Sequence, residues 1–286
     1  MEYAKPDALV STDWLEAHLD APDVRIVDAS WFMKAQNRNA REEYEQEHIP
    51  GAVFFDIDEV SDTASPYPHM LPSPEKFSSR ARKLGLGAGN RVIVYDSTGF
   101  TSAAARVWWM FRVFGHKDVA VLDGGLPKWL REQRPTEALP PVPRERHFMA
   151  RVNTTLVRTT DQLLRNIDSG REQVIDARAA GRFAGTAAEP WPVKKIGHIP
   201  GSRNLPFAAL IDERERTMLP ADKLEAAIRN AGIVTGKPLV ASCGSCVTAC
   251  VLALAFYLLG RDDVAVYDGS WAEWGARDDT PIVTGA

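Results

Sequence analysis

The fold class that this sequence predicts is α/β, as two tandem domains that each hold a mainly parallel sheet flanked by helices. Three observations predict it: a length that calls for two cores, an internal duplication, and short β-branched runs that alternate with helical patterns. With 286 residues, 45% of them hydrophobic, the chain exceeds a single typical domain and is too apolar for disorder.

The duplication is read from recurring motifs at offsets of 145 to 150 residues. Ile26-Val27-Asp28-Ala29 returns as Val174-Ile175-Asp176-Ala177, and His48-Ile49-Pro50-Gly51-Ala52 as His198-Ile199-Pro200-Gly201-Ser202. Met70-Leu71-Pro72 is matched by Met218-Leu219-Pro220, Val121-Leu122-Asp123-Gly124 by Val266-Tyr267-Asp268-Gly269, and Trp129 by Trp274. Runs such as Val92-Ile93-Val94-Tyr95 and Val119-Ala120-Val121-Leu122 read as strands of βα units. Ser11-Thr12-Asp13 offers N-cap chemistry, and Gly85 and Gly232 stand where equivalent helices should close in a left-handed cap. Pro135, Pro140, Pro141 and Pro143 interrupt a charged stretch, which predicts a stiff exposed linker. The expected division is a first domain over 1–134, a linker over 135–150 and a second domain over 151–286.

The balance of 34 basic against 38 acidic residues gives a net charge of −4, so no broad cationic field invites nucleic acid or an anionic membrane. An anionic substrate must be gathered by a local site. No apolar run reaches the roughly 18 to 20 residues that span a bilayer, and the N-terminus lacks a basic stretch before an apolar core. A cytoplasmic location is expected. The three cysteines, Cys243, Cys246 and Cys250, fall within eight residues and cannot staple distant parts of the fold.

Alignment of the halves sets Leu239-Val240-Ala241-Ser242 opposite Val92-Ile93-Val94-Tyr95, so Asp96 occupies in the first half the place of Cys243. Only the second copy holds a nucleophile at that strand end, where open α/β sheets bind ligands. The turn Gly244-Ser245-Cys246-Val247-Thr248 leads into an apolar helix from Ala249 to Leu259, whose N-terminal amides would hold a thiolate or a persulfide anion. The i, i+3, i+7 spacing of the three cysteines equally fits one buried helical face, the reading preferred for Cys250. Cys243-Gly244-Ser245-Cys246 is also a C-x-x-C, which makes Cys246 a possible redox partner of Cys243.

The duplicated HIPG motifs, the run Arg106-Val107-Trp108-Trp109-Met110-Phe111-Arg112 and the strand-end Cys243-Gly244-Ser245 resemble the rhodanese superfamily. The resemblance covers nearly the whole chain and is strongest to its mercaptopyruvate-using branch, in which Gly-Ser follows the nucleophile. It implies sulfur transfer from 3-mercaptopyruvate through a Cys243 persulfide to a thiol, such as thioredoxin or a small thiol, or to cyanide, with release of pyruvate. It also implies catalytic roles for Cys243, Ser245, His69 and Asp58, and substrate contacts from Arg182, Gly244, Cys246, Val247 and Thr248. No separate cofactor is expected, because the cysteine itself carries the sulfur.

Two positions depart from the family pattern. Trp191 follows Glu189-Pro190 where a second substrate arginine is usual, a loss that Lys194 or Lys195 would have to cover. Cys246 replaces a loop glycine, so a positive φ there would place a β-carbon under strain. A thiosulfate sulfurtransferase is the alternative, and a persulfide carrier or interaction protein without turnover is the second. A Cys-x5-Arg phosphatase is disfavoured by Ala249 at the arginine position, and zinc by the lack of a second C-x-x-C. No G-x-G-x-x-G or P-loop pattern supports nucleotide use.

Overall fold

The computed structural model describes residues 2–285; Met1 and Ala286, the outer bounds of the expected domains, lie outside the described residues. Ten strands form two five-stranded sheets of the same permuted order. The first holds β1 (Leu9–Val10), β2 (Val24–Asp28), β3 (Val53–Phe54), β4 (Arg91–Tyr95) and β5 (Val119–Leu122), in the order β1-β5-β4-β2-β3. The second holds β6 (Val157–Arg158), β7 (Gln173–Asp176), β8 (Arg203–Asn204), β9 (Leu239–Ser242) and β10 (Ala265–Tyr267), in the order β6-β10-β9-β7-β8. All pairings are parallel. The near-continuous Val, Ile and Leu of these strands suit sheets covered on both faces. The equivalent middle strands β4 and β9 lead directly into Asp96 and Cys243, which hold the same place in the duplicated plan.

The helix after each middle strand is almost wholly buried. Ala249–Leu258 is apolar all round and Ser102–Val113 interrupts its apolar surface only with Ser102, Arg106 and Arg112, so both must be covered on nearly every side. Each packs on its own sheet and on the other helix, which fuses both domains into one continuous core. Ser11 Oγ accepts from the Trp14 amide at 3.1 Å, and Gly85 and Gly232 take φ of 70° and 68° just beyond the helices they close.

The linker is exposed along most of its length, as expected, but it is pinned to the first domain. Leu139 and Val142 are exposed, but Phe148 is buried against the rings of Phe77, Phe111 and His116. Backbone bonds from Ala88 to the His147 carbonyl and from Arg151 to the Phe114 carbonyl hold the segment on the first domain. Aromatic burial outweighs the proline-rich composition that suggested exposure. Among the described residues no helix is long and apolar enough to cross a membrane.

Two stability predictions follow from this packing. Phe148→Ala should cost about 3 kcal/mol in denaturant unfolding, while Val142→Ala, at a side chain in solvent, stays within about 0.5 kcal/mol. Equal effects would contradict the anchoring role. Asp123, which accepts the Met218 amide across the domain boundary at 2.8 Å, has its pKa pushed up to about 6 by burial, against the pull of that amide and Lys128. A carboxyl raised on folding binds its proton more tightly in the native chain, so its contribution to stability falls as pH rises from about 4 to 6. Asp123→Asn should therefore raise stability at pH 7 by on the order of 1–2 kcal/mol and flatten the slope in that window. An unchanged pH profile would contradict it.

Candidate active site

The Cys243 loop is built by two elements that meet beneath it. Strand β9 delivers Cys243 to the sheet end, and the helix Ser270–Trp274 begins directly below. Ser270 Oγ accepts from the amides of Cys243 at 3.3 Å and Cys246 at 3.1 Å, and its hydroxyl lies 3.0 Å from the Tyr267 carbonyl. The Trp271 and Ala272 amides donate to the carbonyls of Cys243 and Gly244 at 2.9 and 2.8 Å. Cys246 takes φ of +61°, the left-handed region, where a non-glycine residue costs on the order of 1–2 kcal/mol. The glycine-to-cysteine departure thus falls on a position that demands the glycine conformation.

Cys243 lines a cavity of about 380 Å³ between the domains. Arg182, Trp191 and Phe207 wall it from the second domain, and Trp31, Thr98 and Phe100 from the first. Gly244, Ser245, Val247 and Thr248 also line it, whereas Cys246 does not. The Cys246 sulfur turns inward and accepts from Arg106 Nη1 at 2.8 Å, away from any substrate. All three cysteines are free thiols, and Cys250 is buried in its helix with its Sγ donating to the Cys246 carbonyl.

Arg182 is the accessible cation beside Cys243. Its Nε and Nη2 share Glu189 Oε2 at 3.1 and 2.5 Å, while Arg178 Nη1 takes Glu189 Oε1 at 2.7 Å. Glu189 is buried, and Arg178 also pairs with Asp176, so two carboxylates and two guanidinium groups balance in this network, with only the Arg182 fork partly exposed. A β-carbon on Gly244 would lie 2.6 Å from Arg182 Nη2, so any larger residue there would displace the guanidinium from its place against the loop. Neither lysine covers the missing arginine: Lys194 pairs with Asp278 and Lys195 bonds Thr280, on the C-terminal segment. Trp191 instead stacks on Trp31, with ring centroids 6.4 Å apart, across the domain boundary.

His69 reaches the loop from the first domain. Its Nδ1 donates to the Ser245 carbonyl at 3.2 Å, and its Nε2 lies 3.0 Å from Asp58 Oδ1. The ring thus meets the turn at the backbone of Ser245. Both ring nitrogens face acceptors. The rings of Trp31 and Trp191 meet His69 edge-on at 4.7 and 5.6 Å, and Trp31 Nε1 donates to Asp58 Oδ2 at 3.0 Å. Burial pushes the Asp58 pKa up, but the hydrogen bond and charge of His69, with Trp31 and Lys34, outweigh it and hold the carboxyl below its ordinary value.

Sequence offers no local signal for Trp31, Ser270 or the inward face of Arg106, since each acts through contacts distant in the chain. Arg178 stands just after the repeated Val174-Ile175-Asp176-Ala177, where nothing in the pattern marks it. Among the described residues no group of three or more His, Cys, Asp or Glu is placed to hold a metal.

Two stretches of the chain, residues 11–132 and 159–277, match the family described as Rhodanese-like domain. The chain is similar to 3-mercaptopyruvate sulfurtransferase of Homo sapiens, at 45% identity over 276 residues that span 94% of this chain and 92% of the relative. It is also similar to thiosulfate sulfurtransferase of Rattus norvegicus, at 46% identity over 276 residues, 94% of this chain and 92% of the relative. The crystal structure of SseA from Escherichia coli, described with the rhodanese fold and mechanism of 3-mercaptopyruvate sulfotransferases, has a TM-score of 0.85 at 40% identity and covers 92% of this chain and 98% of its own. With both halves matched and both sheets built on one plan, the chain belongs to the rhodanese family as a tandem pair of domains.

Proposed function

We propose that the protein is a sulfurtransferase that takes sulfur from 3-mercaptopyruvate as a persulfide on Cys243 and passes it to a thiol acceptor. The observation that carries this reading is the pairing, in one interdomain cavity, of a strand-end thiol with the partly exposed guanidinium fork of Arg182 against its loop. A fork of that kind suits the carboxylate and carbonyl end of a monoanionic 2-oxo acid. In the reaction the Cys243 thiolate attacks the donor sulfur. An S–S bond forms, the donor C–S bond breaks, and the electron pair leaves with pyruvate as its enolate, which takes up a proton.

Ser245, in the cavity wall, relays to the enolate the proton that the donor thiol gives up as the persulfide anion forms, so its hydroxyl ends as it began, while His69 and Asp58 hold the Ser245 carbonyl and so the turn that presents it. Gly244, Val247 and Thr248 shape the floor, and the turn amides stabilise the persulfide anion. A second thiol, either reduced thioredoxin or a small thiol, or else cyanide, removes the outer sulfur. No separate cofactor enters. The reading places the reaction in the cytoplasm, with no role for nucleic acid or membrane, in keeping with the weak net charge.

Thiosulfate is the second reading, favoured by the likeness to a thiosulfate sulfurtransferase. The geometry weighs against it, because a dianion would meet no lysine in the cavity, and the arginines that line it, Arg38, Arg178 and Arg182, are each already paired with a carboxylate. A carrier without turnover would load sulfur but not release it.

Steady-state transfer from both donors to one thiol, with Cys243→Ser as blank, tests the reading. Mercaptopyruvate is expected to lead in kcat/KM by at least about tenfold, or about 1.4 kcal/mol. A lead for thiosulfate would reverse the donor assignment, and no activity above the blank would sink the enzyme reading. Arg182→Gln should lower kcat/KM for mercaptopyruvate by about 10- to 100-fold, the loss of a charge-assisted bond. An unchanged value would remove Arg182 from the site.

A further inference from the structure

Arg106 is fully buried in the Ser102–Val113 helix of the first domain, yet its partners lie at the catalytic junction. Its Nη1 donates to Cys246 Sγ at 2.8 Å and to Asp268 Oδ1 at 3.2 Å, and its Nη2 donates to the His69 carbonyl. Asp268 Oδ2 in turn accepts the Leu71 amide at 2.8 Å. One guanidinium therefore touches the segment that carries His69, the loop that carries Cys243, and the Asp268 turn that leads to Ser270.

The two residues it grips by loop or backbone, His69 and Cys246, both sit at positive φ, 60° and 61°. Neither conformation is the preferred one for a residue with a β-carbon, so each needs outside contacts to persist. At position 246 the side chain that makes the conformation costly also makes the contact that holds it. Glycine would adopt the turn freely and would have no atom for Arg106 to hold.

We propose that Arg106 and Cys246 form an interdomain clasp that positions the Cys243 loop against His69 for turnover. Both act as positioning residues, through the loop rather than on the substrate. The proposal rests on the sulfurtransfer reading of this site. It predicts that the clasp governs the chemical step and leaves donor binding, which Arg182 provides from the other wall, nearly untouched.

The test is a double-mutant cycle on Arg106→Lys and Cys246→Gly, with Cys246→Ser as the conservative variant. Cys246→Gly should lower kcat by about fivefold at a little-changed KM, and Cys246→Ser should recover most of the loss, because its hydroxyl still accepts from Arg106. The double variant should be no slower than Arg106→Lys alone. Turnover by Cys246→Gly equal to the unsubstituted protein, or a double loss equal to the product of the single ones, would overturn the clasp. The same cycle read by iodoacetamide labelling of Cys243 needs no sulfur donor. The loosened loop should react about fivefold faster, with the same non-additivity. If the unsubstituted protein turns over no donor, the sulfurtransfer reading fails on its own, and the labelling cycle still supports the clasp when coupled or refutes it when additive.

Discussion

The packing of Ser102–Val113 against Ala249–Leu258 is the contact on which the rest of the molecule depends. A helix reading Ala-Cys-Val-Leu-Ala-Leu-Ala-Phe-Tyr-Leu has no face to give to water, and its own sheet covers one side only. The duplicated helix of the other domain covers the remainder. Because each helix starts where a middle strand ends, their packing brings the Asp96 and Cys243 loops into one junction, and a cavity opens between the halves. The site thus arises from the same apolar burial that joins the domains.

Duplication followed by divergence explains the charge arrangement. Asp96 satisfies its own loop, taking the amides of Thr98 and Ala104 on its two oxygens at 2.9 and 3.1 Å. At the equivalent place Cys243 carries no such acceptor, and its loop is tied from below by Ser270 instead. A neutral side chain there leaves the turn able to receive negative charge. Around it the protein spends its cations in pairs: Arg178 with Asp176 and Glu189, Arg106 with Asp268. Arg182, tied to Glu189 yet open to the cavity, is the guanidinium left for an anionic donor.

Much of this was legible in the sequence, where the evidence is periodic or repeated. The β-branched runs, the recurring His-Ile-Pro-Gly and the strand-end alignment of Asp96 with Cys243 come from short-range pattern, and they lead directly to two parallel sheets. His69 and Asp58 were named through family likeness, and the fold sets them 3.0 Å apart. What the pattern did not hold was direction. That Cys246 points to Arg106 and not into the cavity, that His69 meets a carbonyl and not a hydroxyl, and that Trp191 stacks on Trp31 all depend on contacts between residues far apart in the chain. Phe148 shows the same limit, since a proline-rich composition says nothing of the one ring that anchors it.

The central claim is that Cys243 is the atom that takes the sulfur. It is tested most directly by one turnover with mercaptopyruvate and no acceptor, followed by mass mapping of the cysteine peptides and an assay for pyruvate. The account predicts one added sulfur atom per chain, confined to Cys243, with one equivalent of pyruvate released. Pyruvate without added sulfur, or sulfur on Cys246 or Cys250 while Cys243 stays unmodified, would contradict it.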